Sequence, residues 1–195
     1  MRRWPVDRFA ALSRHMLGEL GLCPVLLGSS SEKELSRRFR QAGGIGIDLV
    51  GKTSLMELAA AMSQLSVLAT NDTGTMHLAA GLGVPVAAVF LATAQPWDTG
   101  PYMDGCVCLE PDMACHPCAF GSECPHGHAC RQAISLEAMT WAIRSCLEPG
   151  EVGLKSSEGA RVWLSAREES GLMGLVSLSG HEQEDRSSWI RLQRA

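Results

Sequence analysis

Apolar positions along the first 148 residues switch repeatedly between two periods. Phe9, Leu12, Met16 and Leu20 recur at helical spacing behind Pro5, whose fixed φ suits a first helical turn, and Gly21 ends that run. Cys23-Pro24-Val25-Leu26-Leu27 is a continuous apolar run that stops at Gly28-Ser29-Ser30-Ser31, a strand followed by a turn. Glu32 to Gln41 is helical and basic on one side, and Ile45 to Val50 is again strand-like. Ser54-Leu55-Met56-Glu57 has the capping-box pattern, with Ser accepting from the third amide and Glu reaching back, and it opens an Ala-rich helix to Met62. Val67 to Thr70 reads as a strand, Asn71 to Gly74 as a turn, Thr75 to Ala80 as a helix and Val84 to Leu91 as a strand. After a long loop, Ser135 caps a helix from Leu136 to Cys146.

Strands that are continuously apolar and alternate with helices predict a parallel sheet covered on both faces. The expected fold is α/β, an open doubly wound Rossmann-like parallel sheet over residues 1–148. Such sheets bind ligands at the carboxyl ends of their strands, so the turns after Leu27, Val50, Thr70 and Leu91 are the candidate functional positions. Beyond Pro149 the charge density rises, Ser and Gly become frequent, and only Leu172-Met173-Gly174-Leu175-Val176 is apolar. Residues 149–195 are therefore expected to form a weakly structured, irregular tail.

Composition narrows the functional classes. Hydrophobic residues make up 46% of the 195, which is ample for a packed core. A formal charge of −4 and 5% aromatic residues argue against a nucleic-acid partner, which needs a basic face or stacking platforms. Met1-Arg2-Arg3-Trp4-Pro5 has no apolar stretch behind its basic pair, so no secretory signal is predicted. Between Asp72 and Asp98 the sole ionisable side chain is His77, but Gly81, Gly83 and Pro85 interrupt the run before it reaches the roughly 20 apolar residues of a span. A soluble, cytoplasmic protein with reduced thiols is expected.

The turn Asn71-Asp72-Thr73-Gly74-Thr75-Met76-His77 carries the strongest chemistry. A strand enters it and a helix leaves it, so free N–H groups and the helix dipole favour an anion such as phosphate. Gly74 admits close backbone approach, Thr73 and Thr75 add hydroxyls, and Asp72 suits a hydroxyl partner better than a phosphate. The plainer alternative has Asp72 or Thr73 simply capping the helix and His77 packing locally, and spacing alone leaves both open. Gly43-Gly44-Ile45-Gly46 precedes a strand rather than following one, so dinucleotide binding is discarded.

Gly51-Lys52-Thr53-Ser54-Leu55-Met56-Glu57-Leu58, Thr70-Asn71-Asp72-Thr73-Gly74-Thr75-Met76-His77-Leu78-Ala79-Ala80 and Gly83-Val84-Pro85-Val86 resemble glycosyltransferase family 9, the bacterial heptosyltransferases of lipopolysaccharide core assembly. Arg3-Trp4-Pro5 with Phe9 resembles the opening of that family's C-terminal domain, and Thr99-Gly100-Pro101-Tyr102 and the cysteine-bearing loop its later part. The resemblance covers roughly residues 2–147. It implies the donor-binding half of a two-domain GT-B enzyme that transfers heptose from an ADP-activated sugar to a lipid-linked acceptor, with no cofactor required for the chemistry. It further implies that Asp72, Thr73, Gly74, Thr75, Met76 and His77 hold the donor's sugar and diphosphate. Arg2 would stand where the family often has a phosphate-binding Lys, Glu32 or Glu34 would take the ribose hydroxyls, and Lys52, Thr53, Ser54 and Leu55 would flank the adenine. The family's acceptor site and catalytic base belong to an N-terminal domain, so this chain is expected to bind donor and to need a complementing N-terminal domain for turnover. A peripheral position at the inner face of the cytoplasmic membrane goes with that activity. The competing reading is a non-catalytic nucleotide-binding module, or an interaction module stabilised by zinc.

That last alternative rests on Cys115, Cys118, Cys124 and Cys130, spaced C-x2-C-x5-C-x5-C. Thiolates so spaced can close around tetrahedral zinc, while the spacing matches neither common ferredoxin pattern. Inert or disulfide-capable thiols remain the alternative. Cys23, Cys106, Cys108 and Cys146 fall on predicted strands or helices and are expected in the core.

Overall fold

In the computed structural model of the chain, residues 3–120, 123–148, 150 and 159–181 are described. The first helix, α1 (Val6–Leu20), starts at Pro5 and ends where Gly21 takes a left-handed φ of 64°. It leads into β1 (Val25–Leu26), a 3-10 turn (Ser30–Glu32) and α2 (Lys33–Gln41). Then follow β2 (Ile47–Asp48), α3 (Leu55–Met62), β3 (Leu68–Asn71), α4 (Gly74–Gly81) and β4 (Val86–Val89). The second half comprises α5 (Pro96–Thr99), β5 (Val107–Pro111), α6 (Cys130–Ala133), α7 (Leu136–Leu147), β6 (Ala160–Arg167) and β7 (Met173–Ser177).

The predicted caps form as the side chains dictate. Ser54 Oγ accepts from the Glu57 amide at 3.3 Å while Glu57 Oε2 accepts from the Ser54 amide at 2.8 Å. Ser135 Oγ accepts from the Ala138 amide at 3.0 Å.

Strands β3, β4 and β5 run parallel, with Leu68 opposite Val86 and Ala87 opposite Val107. Successive residues of β4 enter opposite layers. Ala87 and Val89 pack with Leu12, Met139 and Ile143 on the side of α1 and α7. Val86, Ala88 and Phe90 pack with Met62, Met76 and Ala79 on the side of α3 and α4. This two-sided burial is why the strand is continuously apolar, and it bears out the doubly wound reading.

Two features depart from expectation. Strands β1 and β2 pair with each other, Val25 opposite Ile47, as a separate two-stranded parallel sheet. The supposedly irregular tail contributes β6 and β7, which extend the main sheet antiparallel in the order β3-β4-β5-β6-β7. The tail reading is thus corrected for residues 160–177, whose pattern is masked because both faces of β6 are covered. Val162 joins one core layer and Trp163 the other. The rest of residues 149–195, apart from Gly150, Gly159 and 178–181, lies outside the described residues. Among the described residues no helix is long and apolar enough to cross a membrane.

Candidate functional site

Between the β1–β2 unit and the main sheet lies a cleft of about 1420 Å³. One wall is the β1 segment and its turn, including Gly28 and Glu32, and the other is β3 with Thr73, Gly74 and Thr75 at the start of α4. Trp4 secures the meeting point. Its amide donates to Asn71 Oδ1 at 2.7 Å and its indole Nε1 to the Ile134 carbonyl at 3.1 Å, so the incoming chain is fixed to the carboxyl end of β3.

At that end Thr73 holds the N-cap position of α4 in an extended conformation, φ −152° and ψ 165°, and its side chain makes no capping hydrogen bond. The amides of the first turn point out along the helix axis, as they must at any helix start. The hydroxyls form a short string, with Thr73 Oγ1 2.8 Å from Thr75 Oγ1 and 3.4 Å from Thr70 Oγ1. Apart from its two chain neighbours and the backbone of its own helix, no atom lies within 4 Å of a Cβ built on Gly74, so the helix start opens onto free space. Amide and hydroxyl donors around such an opening suit an anionic group.

Across the cleft, Glu32 Oε2 accepts from the amide and hydroxyl of Ser29 at 2.9 and 3.1 Å. Its Oε1 lies 3.2 Å from Arg3 Nη2. The bend that brings this carboxylate back depends on Gly28, where a Cβ would stand 3.1 Å from Glu32 Oε2. Gly51, at φ 67°, holds the next turn against it, because a Cβ there would lie 2.8 Å from Ser30 Cα. Glu34 points elsewhere, into an exposed pair with Arg37 whose guanidinium holds its carboxyl below the usual range.

The remaining predicted residues divide. Leu55 borders the cleft and is 72% exposed. Lys52 is exposed and donates from Nζ to the Asp48 carbonyl at 2.7 Å, with Thr53 and the Ser54 cap following it outside the cleft lining. Asp72 follows β3, its amide donating to the Val89 carbonyl at 3.1 Å, and His77 is exposed on the first turn of α4; neither lines the cleft. Met76 is fully buried beside Met62 and Ala79, so its side chain belongs to the core and only its backbone remains near the site. Arg2 lies outside the described residues.

Sequence reading missed two contributors. Arg3 supplies the described cation beside Glu32, and the cysteine-bearing loop, treated as separate chemistry, reaches the same cleft through Gly127, His128 and Arg131. Arg131 Nε donates to the Arg3 carbonyl at 3.0 Å, joining the two. Local pattern could not reveal a contact between residues so far apart in the chain.

The cysteines separate by environment. Cys106, Cys108 and Cys146 are buried, and burial pushes the Cys108 thiol well up and that of Cys146 up to about 12. Cys23 is exposed rather than in the core, because it precedes β1 on an open turn. Burial also raises Cys118 and Cys130, with neighbouring sulfurs adding to the effect. Among the described residues no group of His, Cys, Asp or Glu side chains is arranged to hold a metal ion.

Comparison with known proteins gives a consistent match. The model of glycosyltransferase family 9 (heptosyltransferase) matches residues 1–129. Lipooligosaccharide heptosyltransferase 2 of Haemophilus influenzae is 31% identical over 108 residues, 53% of this chain and 31% of that protein. Lipopolysaccharide heptosyltransferase 1 of Pseudomonas aeruginosa is 31% identical over 117 residues, 60% of this chain and 32% of that protein. The chain thus matches about a third of the length of these relatives. Among solved structures, Escherichia coli ADP-heptose LPS heptosyltransferase II superposes with a TM-score of 0.61 at 22% identity, over 75% of this chain and 42% of that one. A glycosyl transferase family 9 structure from Veillonella parvula superposes equally, at 0.61 and 28% identity, over the same shares.

Proposed function

This chain belongs to glycosyltransferase family 9, the heptosyltransferase family, and we propose that its cleft binds the ADP-activated heptose donor used in lipopolysaccharide core assembly. The observation that carries the reading is the open start of α4 at Gly74, flanked by the Thr73 and Thr75 hydroxyls and facing Glu32 across the cleft. A diphosphate takes amide and hydroxyl donors, and a ribose takes a carboxylate acceptor. The cleft offers both at its opposite walls. In this reading Asp72 and His77, just outside the cleft lining on the turn before α4 and on its first helical turn, reach the sugar where it extends beyond the diphosphate, and Lys52 to Leu55, of which Leu55 borders the cleft, flank the base. Arg3, with Arg2 before it in sequence, adds positive charge at the phosphate end.

Transfer needs donor and acceptor held in one reactive geometry. In this reading the chain supplies the donor side, while the lipid-linked acceptor and the catalytic base come from a complementing N-terminal domain. No cofactor enters the transfer itself.

Calorimetric titration of the full chain with ADP, and with UDP and GDP as controls, tests the assignment. Binding of ADP alone, lost in Gly74→Val, is expected. Equal affinity for all three nucleotides, or ADP binding that ignores Gly74→Val, overturns it.

A further inference from the structure

Arg131 has no part in the donor reading, although it borders the same cleft. Its place is fixed from three sides. The backbone turns sharply before it, where His128 is held at a φ of 62° and its carbonyl accepts from the Arg131 amide at 3.0 Å. A non-glycine residue keeps that left-handed conformation where the surrounding chain demands it. Three residues further on, the Ile134 carbonyl accepts from Trp4 Nε1 at 3.1 Å. Trp4 is itself buried, with Phe9 packed edge-on against its ring at 5.0 Å. The side chain is tied as well, since Arg131 Nε donates to the Arg3 carbonyl at 3.0 Å.

That tie sets a distance. The Arg3 carbonyl carbon is bonded to the Trp4 nitrogen, whose proton goes to Asn71 Oδ1 at 2.7 Å. With covalent geometry fixed between the two hydrogen bonds, Arg131 Nε lies no further than about 8 Å from the side-chain oxygen of Asn71, the last residue of β3. The open start of α4 follows at Thr73 and Gly74. A guanidinium carries five N–H donors, and the tie uses the one on Nε, which leaves the two terminal nitrogens. Among the described residues no carboxylate forms an ion pair with them. The acids that line the cleft are Asp7 and Glu32, and Glu32 is already engaged by Ser29 and Arg3. A half-buried guanidinium without a carboxylate, held near a helix start that offers amides and hydroxyls, completes a ring of donors for an anion.

On the reading that the cleft holds the nucleotide-sugar donor, we propose that Arg131 binds the donor's diphosphate, with its terminal nitrogens on phosphate oxygens opposite the start of α4. The planar fork can donate two parallel hydrogen bonds to one phosphoryl group, which a lysine cannot. Nε keeps its hold on the Arg3 carbonyl throughout, so the guanidinium meets the ligand already oriented and little rotamer freedom is lost on binding. The stretch of the cysteine-bearing loop that reaches the cleft thereby becomes a wall of the donor site.

The test is calorimetric titration of the full chain with ADP at low and at high salt. Arg131→Gln should weaken ADP binding about tenfold at low salt. The deficit should shrink as salt rises, because screening takes from the wild type what the variant has already lost. Arg131→Lys, which keeps the charge and loses the fork, should fall between the two. A purely structural role would give a loss independent of salt and equal in both variants, and that pattern overturns the proposal. So does ADP affinity unchanged by Arg131→Gln. A second measurement needs no variant: saturating ADP should shield Arg131 of the wild type from phenylglyoxal, read by peptide mapping, while exposed Arg37, outside the cleft, reacts as before. Modification of Arg131 at the same rate with and without bound ADP overturns the contact. A wild type that binds no nucleotide removes the donor reading and this contact together, whereas a wild type that binds ADP indifferently to Arg131 removes this contact alone.

Discussion

Arg3 Nη2 and Glu32 Oε1 stand 3.2 Å apart at the cleft, joining the segment before α1 to the turn after β1. The two side chains are 53% and 35% exposed. An ion pair so exposed contributes about 0–1 kcal/mol, whereas hydrogen bonds to a carboxylate contribute roughly 1.5–3 kcal/mol. A ligand hydroxyl can therefore displace Arg3 from Glu32 at small cost, releasing the guanidinium for a phosphate. Glu32→Gln is expected to weaken ADP binding about tenfold, or about 1.4 kcal/mol. Calorimetry that finds the affinity unchanged removes Glu32 from the site.

Gly74 offers a separation of binding from stability. Apart from its two chain neighbours and the backbone of its own helix, a valine there meets no protein atom within 4 Å of its Cβ, and α4 begins without positive φ at this position. Gly74→Val should abolish ADP binding while the unfolding free energy changes by about 1 kcal/mol or less, since glycine is itself a poor helix residue. Large destabilisation in denaturant would mean that the open space is needed by the fold.

Alkylation of the native chain should discriminate among its thiols. Cys23 is exposed and is expected to react first, while Cys106, Cys108 and Cys146 stay unmodified until unfolding. Burial holds Cys146 at about 12, so its thiolate fraction near pH 8 is negligible. Peptide mapping after a brief iodoacetamide pulse reads the order, and early labelling of Cys146 contradicts the packing described.

Acid should loosen the β2 side of the cleft. Asp48 Oδ2 accepts from Ser36 Oγ at 2.5 Å and Oδ1 from the Val50 amide at 2.9 Å. These bonds, the Ser36 hydroxyl foremost, hold its carboxyl below the ordinary 3.8. A depressed folded-state pKa stabilises above the unfolded value and is lost as pH falls through the folded one. The contribution is thus complete at neutral pH and fades below about pH 4. Asp48→Asn should flatten that part of the stability profile between pH 5 and 2, a range chosen to bracket the transition and measured by urea unfolding; an unaltered profile would show that Asp48 carries none of it.

Trp163 joins the terminal hairpin to the main sheet. It is 2% exposed, its ring meets that of Trp97 edge-on at 4.8 Å, and its Nε1 satisfies buried Glu110. Trp163→Ala removes a large buried ring and leaves a carboxylate oxygen unpaired, so a loss of about 3–5 kcal/mol is expected. Trp163→Phe should recover part of this by refilling the volume without restoring the hydrogen bond. Chemical denaturation of both variants measures the difference, and a near-neutral Trp163→Ala would separate β6 from the cooperative fold.

Much of this architecture is local and was therefore legible. Helix α1 is written in the spacing of Phe9, Leu12, Met16 and Leu20, and its end in Gly21. Ser54 and Ser135 place their helices because a capping hydroxyl acts within three residues. The turn from Thr70 to Thr75 is equally local, since one strand end and one helix start define it. Pairing across the chain is not local. Nothing near Glu32 distinguishes it from Glu34; the opposed positions of Arg3 and Arg37 do. The burial of Met76, the exposure of Cys23 and the place of Arg131 beside Arg3 likewise depend on which segments fold together. The hairpin of β6 and β7 is the largest such case, because a strand covered on both faces loses the alternation that would announce it. Sequence by itself determined the elements and the chemistry each turn can offer. Tertiary structure alone decided which turns share a cleft, because long-range packing sets the distances that hydrogen bonds and charges require.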